Sequence, residues 1–335
     1  DFRIIPNIFI NTFAKGGYAR LKGVSSQKFQ ETKKILENSD LLVDVSGFAL
    51  GSDWSLRGQL LYLSRIKIAK KYGLKIYLMP QSFGPFNYKG IDRILNFGLK
   101  KNLACCSEIF ARETEGYNLL IHKYKLENVT LSPDLVLLNK KIDYNNIYST
   151  KHISKQISIK ENSVGIIPNA MTFEHGNESH ILEFYRDSIS KLLSENITVY
   201  ILRHSSEDLI ICKKIKKMFK DESNVILLED DFSALEFCEI ARDMSFVIAS
   251  RYHSLVHAYK ESVPCIAIGW ATKYRELLKL FGQEHYEFDV RQDFDIDHVM
   301  SKLDRMIVKH SEEAKKIQQT LASLQEVNPF DAIKQ

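Results

Sequence analysis

Apolar residues along most of this chain follow two alternating patterns. Short, mainly apolar runs at residues 164–168, 198–203, 225–228, 246–249 and 265–269 are separated by amphipathic stretches at 178–195, 207–219, 233–243 and 252–261. Such a run bounded by polar residues predicts a strand buried on both faces. The stretches between them carry the three-to-four-residue spacing of a helix with one apolar side. Strands alternating with helices of about ten residues require a parallel sheet with helices on both faces.

The first half repeats the series. It predicts helices at 27–38, 56–72, 90–102 and 113–122, strands at 41–47, 75–79 and 105–111, and a short strand and turn at 131–135. The fold class expected is therefore α/β, with two doubly wound, Rossmann-like domains facing a cleft. The boundaries read as an N-terminal domain over 1–145, a linker over 146–160, a C-terminal domain over 161–300, and C-terminal helices over 301–335 that pack back across the domains. The linker rests on residues 140–160, which are polar and aperiodic. Residues 1–25 are the least readable, with apolar runs at 2–5 and 8–10 and then Lys15-Gly16-Gly17. The chain opens at Asp1 without a methionine, which leaves a native segment ahead of it open.

Composition narrows the classes. A chain of 335 residues is long enough for two ordinary domains, and 44% hydrophobic with 26% charged residues marks it as globular. The net charge of +4, from 46 basic and 42 acidic residues, gives no field that recommends nucleic acid as a partner. Lys213, Lys214, Lys216 and Lys217 fall at helical spacing and read as a solvated face. Cysteines 105, 106, 212, 238 and 265 form no CxxC pair and no zinc spacing, so reduced core thiols are expected. No apolar run approaches the roughly 18 residues of a membrane span and no signal peptide is recognisable, so a cytoplasmic protein is expected.

Candidate chemistry collects where strands give way to helices. In residues 246–259, a strand ends at Ser250, read as a helix N-cap, and places Arg251 and His253 in the first helical turn. A helix N-terminus favours an anion, a guanidinium adds a phosphate or carboxylate fork, and histidine titrates near neutral pH. The alternative is an arginine capping a carboxylate beside an ordinary half-buried histidine. The loop after the first strand carries Gly47, Gly51, Ser52 and Asp53, and the one after 75–79 reads Pro80-Gln81-Ser82-Phe83-Gly84-Pro85-Phe86. Both are placed where open parallel sheets bind ligands. Arg112 and Glu113 stand at another junction. His204 and His175 follow strands, and each is either a cleft residue or a surface histidine. Lys273 adds a cation at the cleft or begins the helix 274–280. His257 shares a helical face with His253, but no third ligand accompanies the pair, so no metal site is expected.

Together these junctions resemble the polysaccharide pyruvyl transferase family. The matching points are Leu42-Val43-Asp44-Val45-Ser46-Gly47, Pro80 to Pro85, Ala111-Arg112-Glu113, Ser132-Pro133-Asp134, Arg251-Tyr252-His253-Ser254, and residues 264–269 followed by Lys273. The family's run of glycines at the first loop is reduced here to Ser46-Gly47, and its N-terminal loop rich in glycine and asparagine is not recognisable. The resemblance implies a glycosyltransferase B type of fold with an N-terminal acceptor side and a C-terminal donor side. It implies transfer of a pyruvyl group from phosphoenolpyruvate to two sugar hydroxyls, giving a cyclic ketal and phosphate. His253 would be catalytic, and Arg112, Arg251, Ser254 and Lys273 would bind phosphoenolpyruvate. Gly47, Asp53, Gln81, Ser82, Gly84, Glu113 and His204 would line the acceptor side or cleft. No cofactor is implied beyond the donor substrate. The acceptor would be lipid-linked, nucleotide-linked or polymeric, and a lipid carrier would bring the protein to the inner membrane surface, with exposed lysines, Phe83 and Phe86 as contacts. The rival readings are a nucleotide-sugar glycosyltransferase of the same architecture and a non-catalytic sugar-binding scaffold.

Overall fold

The computed structural model describes residues 26–140, 147, 157–291 and 294–333. The expectations for residues 1–25, and most of the linker expected over 146–160, lie outside the described residues. The chain divides into two units, one running to Leu135 and resuming at Asn328, the other spanning Val136–Val327.

The first unit orders α1 (Ser26–Glu37), β1 (Leu41–Asp44), β2 (Phe48–Leu50), α2 (Leu56–Lys71), β3 (Lys75–Phe83), α3 (Ile94–Leu103), β4 (Glu108–Ala111), α4 (Thr114–Asn118) and β5 (Val129–Leu131). Its sheet is parallel in the order β1-β3-β4-β5, with β2 also paired to β3. The strand expected over 41–47 breaks after Asp44. Gly47 takes φ +72, and β2 resumes along the later part of β3, pairing Phe48 with Ser82. A positive φ is cheap only for glycine, so the break sits where the sequence permits it. Strand β3 in turn outruns its predicted end. Pro80, Gln81, Ser82 and Phe83 were expected in a loop and lie in the strand, all buried. The register with β4 shifts between Leu78 and Gln81, and such an irregularity accommodates a proline that has no N–H to donate. Phe83 and Phe86, expected at the surface, are buried in this core.

The second unit orders α5 (Leu135–Leu138), β6 (Ser163–Ile167), α6 (Ala170–His175), α7 (Glu178–Ser194), β7 (Thr198–Leu202), α8 (Leu209–Met218), β8 (Val225–Leu228), α9 (Ala234–Arg242), β9 (Phe246–Ala249), α10 (Tyr252–Lys260), β10 (Cys265–Gly269), α11 (Thr272–Leu280), β11 (Glu287–Asp289) and α12 (Ile296–Leu324). Leu135, the first residue of α5, still belongs to the first unit. The six strands are parallel in the order β11-β10-β9-β6-β7-β8. Chain order runs outward from β6 in both directions, so the direction of winding reverses between β6 and β9. In doubly wound sheets ligands bind at that crevice, beyond the C-terminal strand ends.

Two boundaries differ from those expected. Leu137 joins the core of the second unit, which moves the division forward to Leu135/Val136. Helix α12 is not a separate C-terminal element, because Val299, Leu303, Met306, Ile317 and Leu321 are part of that same core. The chain returns to the first unit at Asn328, and in the 3-10 turn Pro329–Ile333 that follows, Ala332 and Ile333 pack against Tyr77, Met79 and Phe110. No described helix is long and apolar enough to cross a membrane.

Candidate functional site

In the second unit, β9 is buried throughout and ends at the switch point. Ser250, expected as the helix N-cap, is not one. Its side chain is fully buried, with Oγ 3.0 Å from the Tyr185 hydroxyl, and Arg251 occupies the N-cap without supplying a side-chain cap. The corner is held from several sides. Asn169, at the end of β6, donates through Nδ2 to the Ser250 carbonyl at 3.0 Å, and the Tyr274 hydroxyl donates to it at 2.9 Å. Tyr274 reaches it by lying across Gly269, where any Cβ would approach the ring to 2.7 Å. Ser254 is buried and its Oγ donates to the Arg251 carbonyl at 2.6 Å. It fastens the turn and does not offer its hydroxyl to a donor substrate as the resemblance implied.

The Arg251 guanidinium is clamped by Asp208, through Nε to Oδ2 at 2.8 Å and Nη2 to Oδ1 at 2.7 Å, and Nη2 also reaches Glu207 at 2.7 Å. Asp208 is wholly buried and also accepts from the backbone N–H of Ala170 at 2.9 Å. Burial pulls the Arg251 pKa down, but the two carboxylates outweigh it and the net shift is upward, so the group is a fixed cation. Glu207 is held down at about 2, first by the Ser205 hydroxyl and then by backbone and Arg251 contacts. Among the described residues Nη1 makes no hydrogen bond, and the side chain keeps 21% of its surface. Glu207 and Asp208 were legible only as a helix start. Nothing in the sequence ties them to an arginine more than forty positions away.

His253 is exposed in the first turn of α10, edge-on to Tyr252. Behind it His257 is buried, with ring centroids 6.4 Å apart. His257 stacks on His204 at 5.7 Å, and its Nδ1 lies 3.3 Å from the Cys238 thiol. His204, half-buried, has its pKa lowered to about 3, first by burial and then by His257, His253 and Arg251. The structure thus brings His253, His204 and Arg251 into one electrostatic neighbourhood. Lys273, on the second residue of α11, places its ammonium 5.5 Å from the Tyr252 and Trp270 rings and 5.8 Å from Tyr274. His175 stacks on Trp270 at 4.4 Å. Among the described residues no group of three or more His, Cys, Asp or Glu side chains is disposed to hold a metal ion.

The first unit carries its own polar cluster at the C-terminal ends of β3, β4 and β5. Arg112 donates through Nε to Glu113 at 2.9 Å, through Nη1 to Asp134 at 2.7 Å and through Nη2 to Ser82 Oγ at 2.6 Å, and Ser82 donates to Glu113 at 2.7 Å. The Arg112 side chain is only 4% exposed. A guanidinium buried between two carboxylates is a clamp on three strand ends, and in this geometry it does not form the open anion fork that the resemblance implied. Gln81 is buried and donates to Asp44 and to the Tyr62 hydroxyl, each at 3.2 Å, so it too holds strand ends together. Gly84 takes φ +93, and its carbonyl lies so near Gly51 that a Cβ there would meet it at 2.6 Å. Gly47 is half-buried and its carbonyl accepts from the Ser82 backbone N–H at 2.8 Å, beside the Arg112 cluster, whereas Asp53 lies on an exposed turn before α2.

Solved structures with this fold carry little sequence in common with it. The S. aureus MnaA–UDP co-structure matches with a TM-score of 0.56 at 11% identity, covering 100% of this chain and 81% of that one. The UDP-GlcNAc 2-epimerase of Methanocaldococcus jannaschii matches at 0.55 and 13%, covering 86% and 77%. An E. coli trehalose-6-phosphate structure bound with UDP-2-fluoro glucose matches at 0.53 and 9%, covering 99% and 84%. These likenesses place the fold as α/β of the glycosyltransferase B type. A comparison with curated proteins gives no match. The family model described as polysaccharide pyruvyl transferase matches residues 2–272, most of the chain and both arginine clusters, so the protein is a transferase and belongs to the polysaccharide pyruvyl transferase family.

Proposed function

We propose that the protein transfers the pyruvyl group of phosphoenolpyruvate to two hydroxyls of a sugar in a polysaccharide or its precursor. The observation that carries this reading is the convergence of a fixed guanidinium, an exposed imidazole and a helix N-terminus at the switch point of the second unit. Phosphoenolpyruvate carries up to about three negative charges on a small frame, and such an anion suits a helix N-terminus and bidentate cations. Arg251, through Nη1, and Lys273 are the groups assigned to it. Asp208 keeps the guanidinium from swinging.

In the reaction one sugar hydroxyl adds to C2 of the enol while a proton goes to the methylene carbon, which becomes the ketal methyl group. The second hydroxyl then displaces phosphate from C2. Two C–O bonds form, the C–O bond to phosphate breaks, and the protons of the two hydroxyls balance the new C–H bond and the leaving phosphate. His253 is assigned the proton traffic, since imidazole titrates near neutral pH and serves as both acid and base. His204, kept neutral by burial, adds no positive charge behind it.

Calorimetric titration with phosphoenolpyruvate, with UDP in a parallel cell, tests the reading. UDP is the control because MnaA was solved with it. Phosphoenolpyruvate binding that disappears in Arg251→Ala, with no UDP signal, is expected. Binding of UDP alone would transfer the site to a nucleotide-sugar glycosyltransferase.

A further inference from the structure

The first unit leaves three large apolar side chains in solvent within seven residues. Ile91 is 79% exposed, Ile94 63% and Phe97 87%. Ile91 lies in the 3-10 turn Gly90–Arg93, which runs directly into α3. In that turn residues three apart eclipse, and in an α-helix they stay within about 60° of each other, so the three share one face. The opposite face is the one that packs. Leu95, Leu99 and Leu103 are buried, and α3 approaches α2 closely enough that a Cβ on Gly98 would lie 3.4 Å from Leu63. The other exposed apolar side chains are scattered along the chain.

The flanking charge is mainly positive, with Asp92 the one acid in the turn. Lys89, Arg93, Lys100 and Lys101 are all exposed, and none has a carboxylate partner among the described residues. The lysine-rich helix α8 differs, because Lys213 pairs with Glu229 and Lys214 with Glu178. Unpaired cations around an unpartnered apolar ridge are the combination that binds an anionic bilayer, with rings and aliphatic chains entering the headgroup boundary and ammonium groups meeting lipid phosphate. A second copy of the same face would set these cations against one another, which disfavours a symmetric dimer.

We propose that Ile91, Ile94 and Phe97, with Lys89, Arg93, Lys100 and Lys101, form a docking surface for a membrane carrying anionic lipid. It relocates the membrane contact from Phe83 and Phe86, which are buried. The inference stands apart from the reading of the second unit, and its test needs no activity.

The experiment is sedimentation of the full chain with vesicles of phosphatidylcholine alone and with vesicles in which about a third of the lipid is phosphatidylglycerol. Binding to the second kind only is expected. Each cation near the surface is worth about fivefold in partitioning, so Lys100→Gln with Lys101→Gln should weaken binding more than tenfold. Ile94→Ser with Phe97→Ser should abolish sedimentation while the circular dichroism spectrum stays that of the parent, since both side chains already stand in solvent. No sedimentation with anionic vesicles, equal binding to both kinds, or binding untouched by the serine pair would each overturn the proposal. A concentration-dependent dimer that Phe97→Ser dissolves would overturn it in favour of a contact between copies.

Discussion

Arg251 and Asp208 meet through two hydrogen bonds of 2.8 and 2.7 Å, with the carboxylate wholly buried and the guanidinium keeping a fifth of its surface. Such a pair makes a poor stability device and a good orienting one, because desolvating both charges consumes much of their attraction. Removing either partner strands the other. Asp208→Ala should therefore cost about 3–5 kcal/mol, a fall of about ten degrees in melting temperature, whereas Asp208→Asn keeps the shape. Under the proposed function, Asp208→Asn should raise the phosphoenolpyruvate KM about tenfold with a smaller effect on kcat, as steady-state phosphate release would show. An unchanged KM would leave Asp208 a purely structural group.

His204 gives a pH signature. Its pKa falls from 6.5 in the unfolded chain to about 3 in the fold, because burial and the neighbouring His257, His253 and Arg251 oppose its protonation. The unfolded state then binds a proton that the folded state refuses. The stability contribution is complete above pH 6.5 and is lost steadily as pH falls from there toward 3. At pH 5 the loss reaches about 2 kcal/mol. The melting temperature should drop between pH 7 and 5, and His204→Gln should flatten that slope. A parallel slope in the variant would mean that other groups carry the acid sensitivity.

Arg112 separates a clamp from a ligand grip. Its three donor nitrogens already hold Ser82, Glu113 and Asp134 with almost no exposure. Arg112→Ala leaves two buried carboxylates facing each other, so thermal unfolding should fall by about ten degrees or the variant should fail to accumulate. Arg112→Lys, which keeps the charge but not the fork, should be intermediate. A variant with parental melting behaviour and only weakened phosphoenolpyruvate binding would return Arg112 to the donor site.

The sequence carried the alternation of elements and the corner at Arg251 and His253, because buried parallel strands are mainly apolar runs and helices announce themselves by period. It concealed what depends on distant partners. Ser250 has the chemistry of an N-cap, and its hydroxyl instead meets Tyr185, 65 positions earlier. Arg112 reads like an anion ligand at a strand end until Asp134 arrives from the next strand to neutralise it. Pro80 hid four strand residues, since a proline argues against a ladder unless a register shift accommodates it. The exposed ridge on α3 was missed because Ile91, Ile94 and Phe97 look like one more buried helical stripe. Only the burial of Leu95 and Leu99 shows which stripe faces inward.

His253 is the residue on which the proposed chemistry turns, and its setting makes the test clean. It is exposed on the second residue of a helix whose other members, from Ser254 to Tyr259, are buried, so replacing it leaves the core untouched. His253→Gln should retain the parental circular dichroism spectrum and melting temperature and still bind phosphoenolpyruvate. It should lose about two to four orders of magnitude in kcat, the range for a missing general acid or base. The parent's kcat should also depend on one ionisation that the variant lacks. Phosphate release within tenfold of the parent would remove His253 from the proton-transfer role. Lost donor binding with an intact fold would make it a ligand for the anion, and the acid–base group would then have to be sought elsewhere.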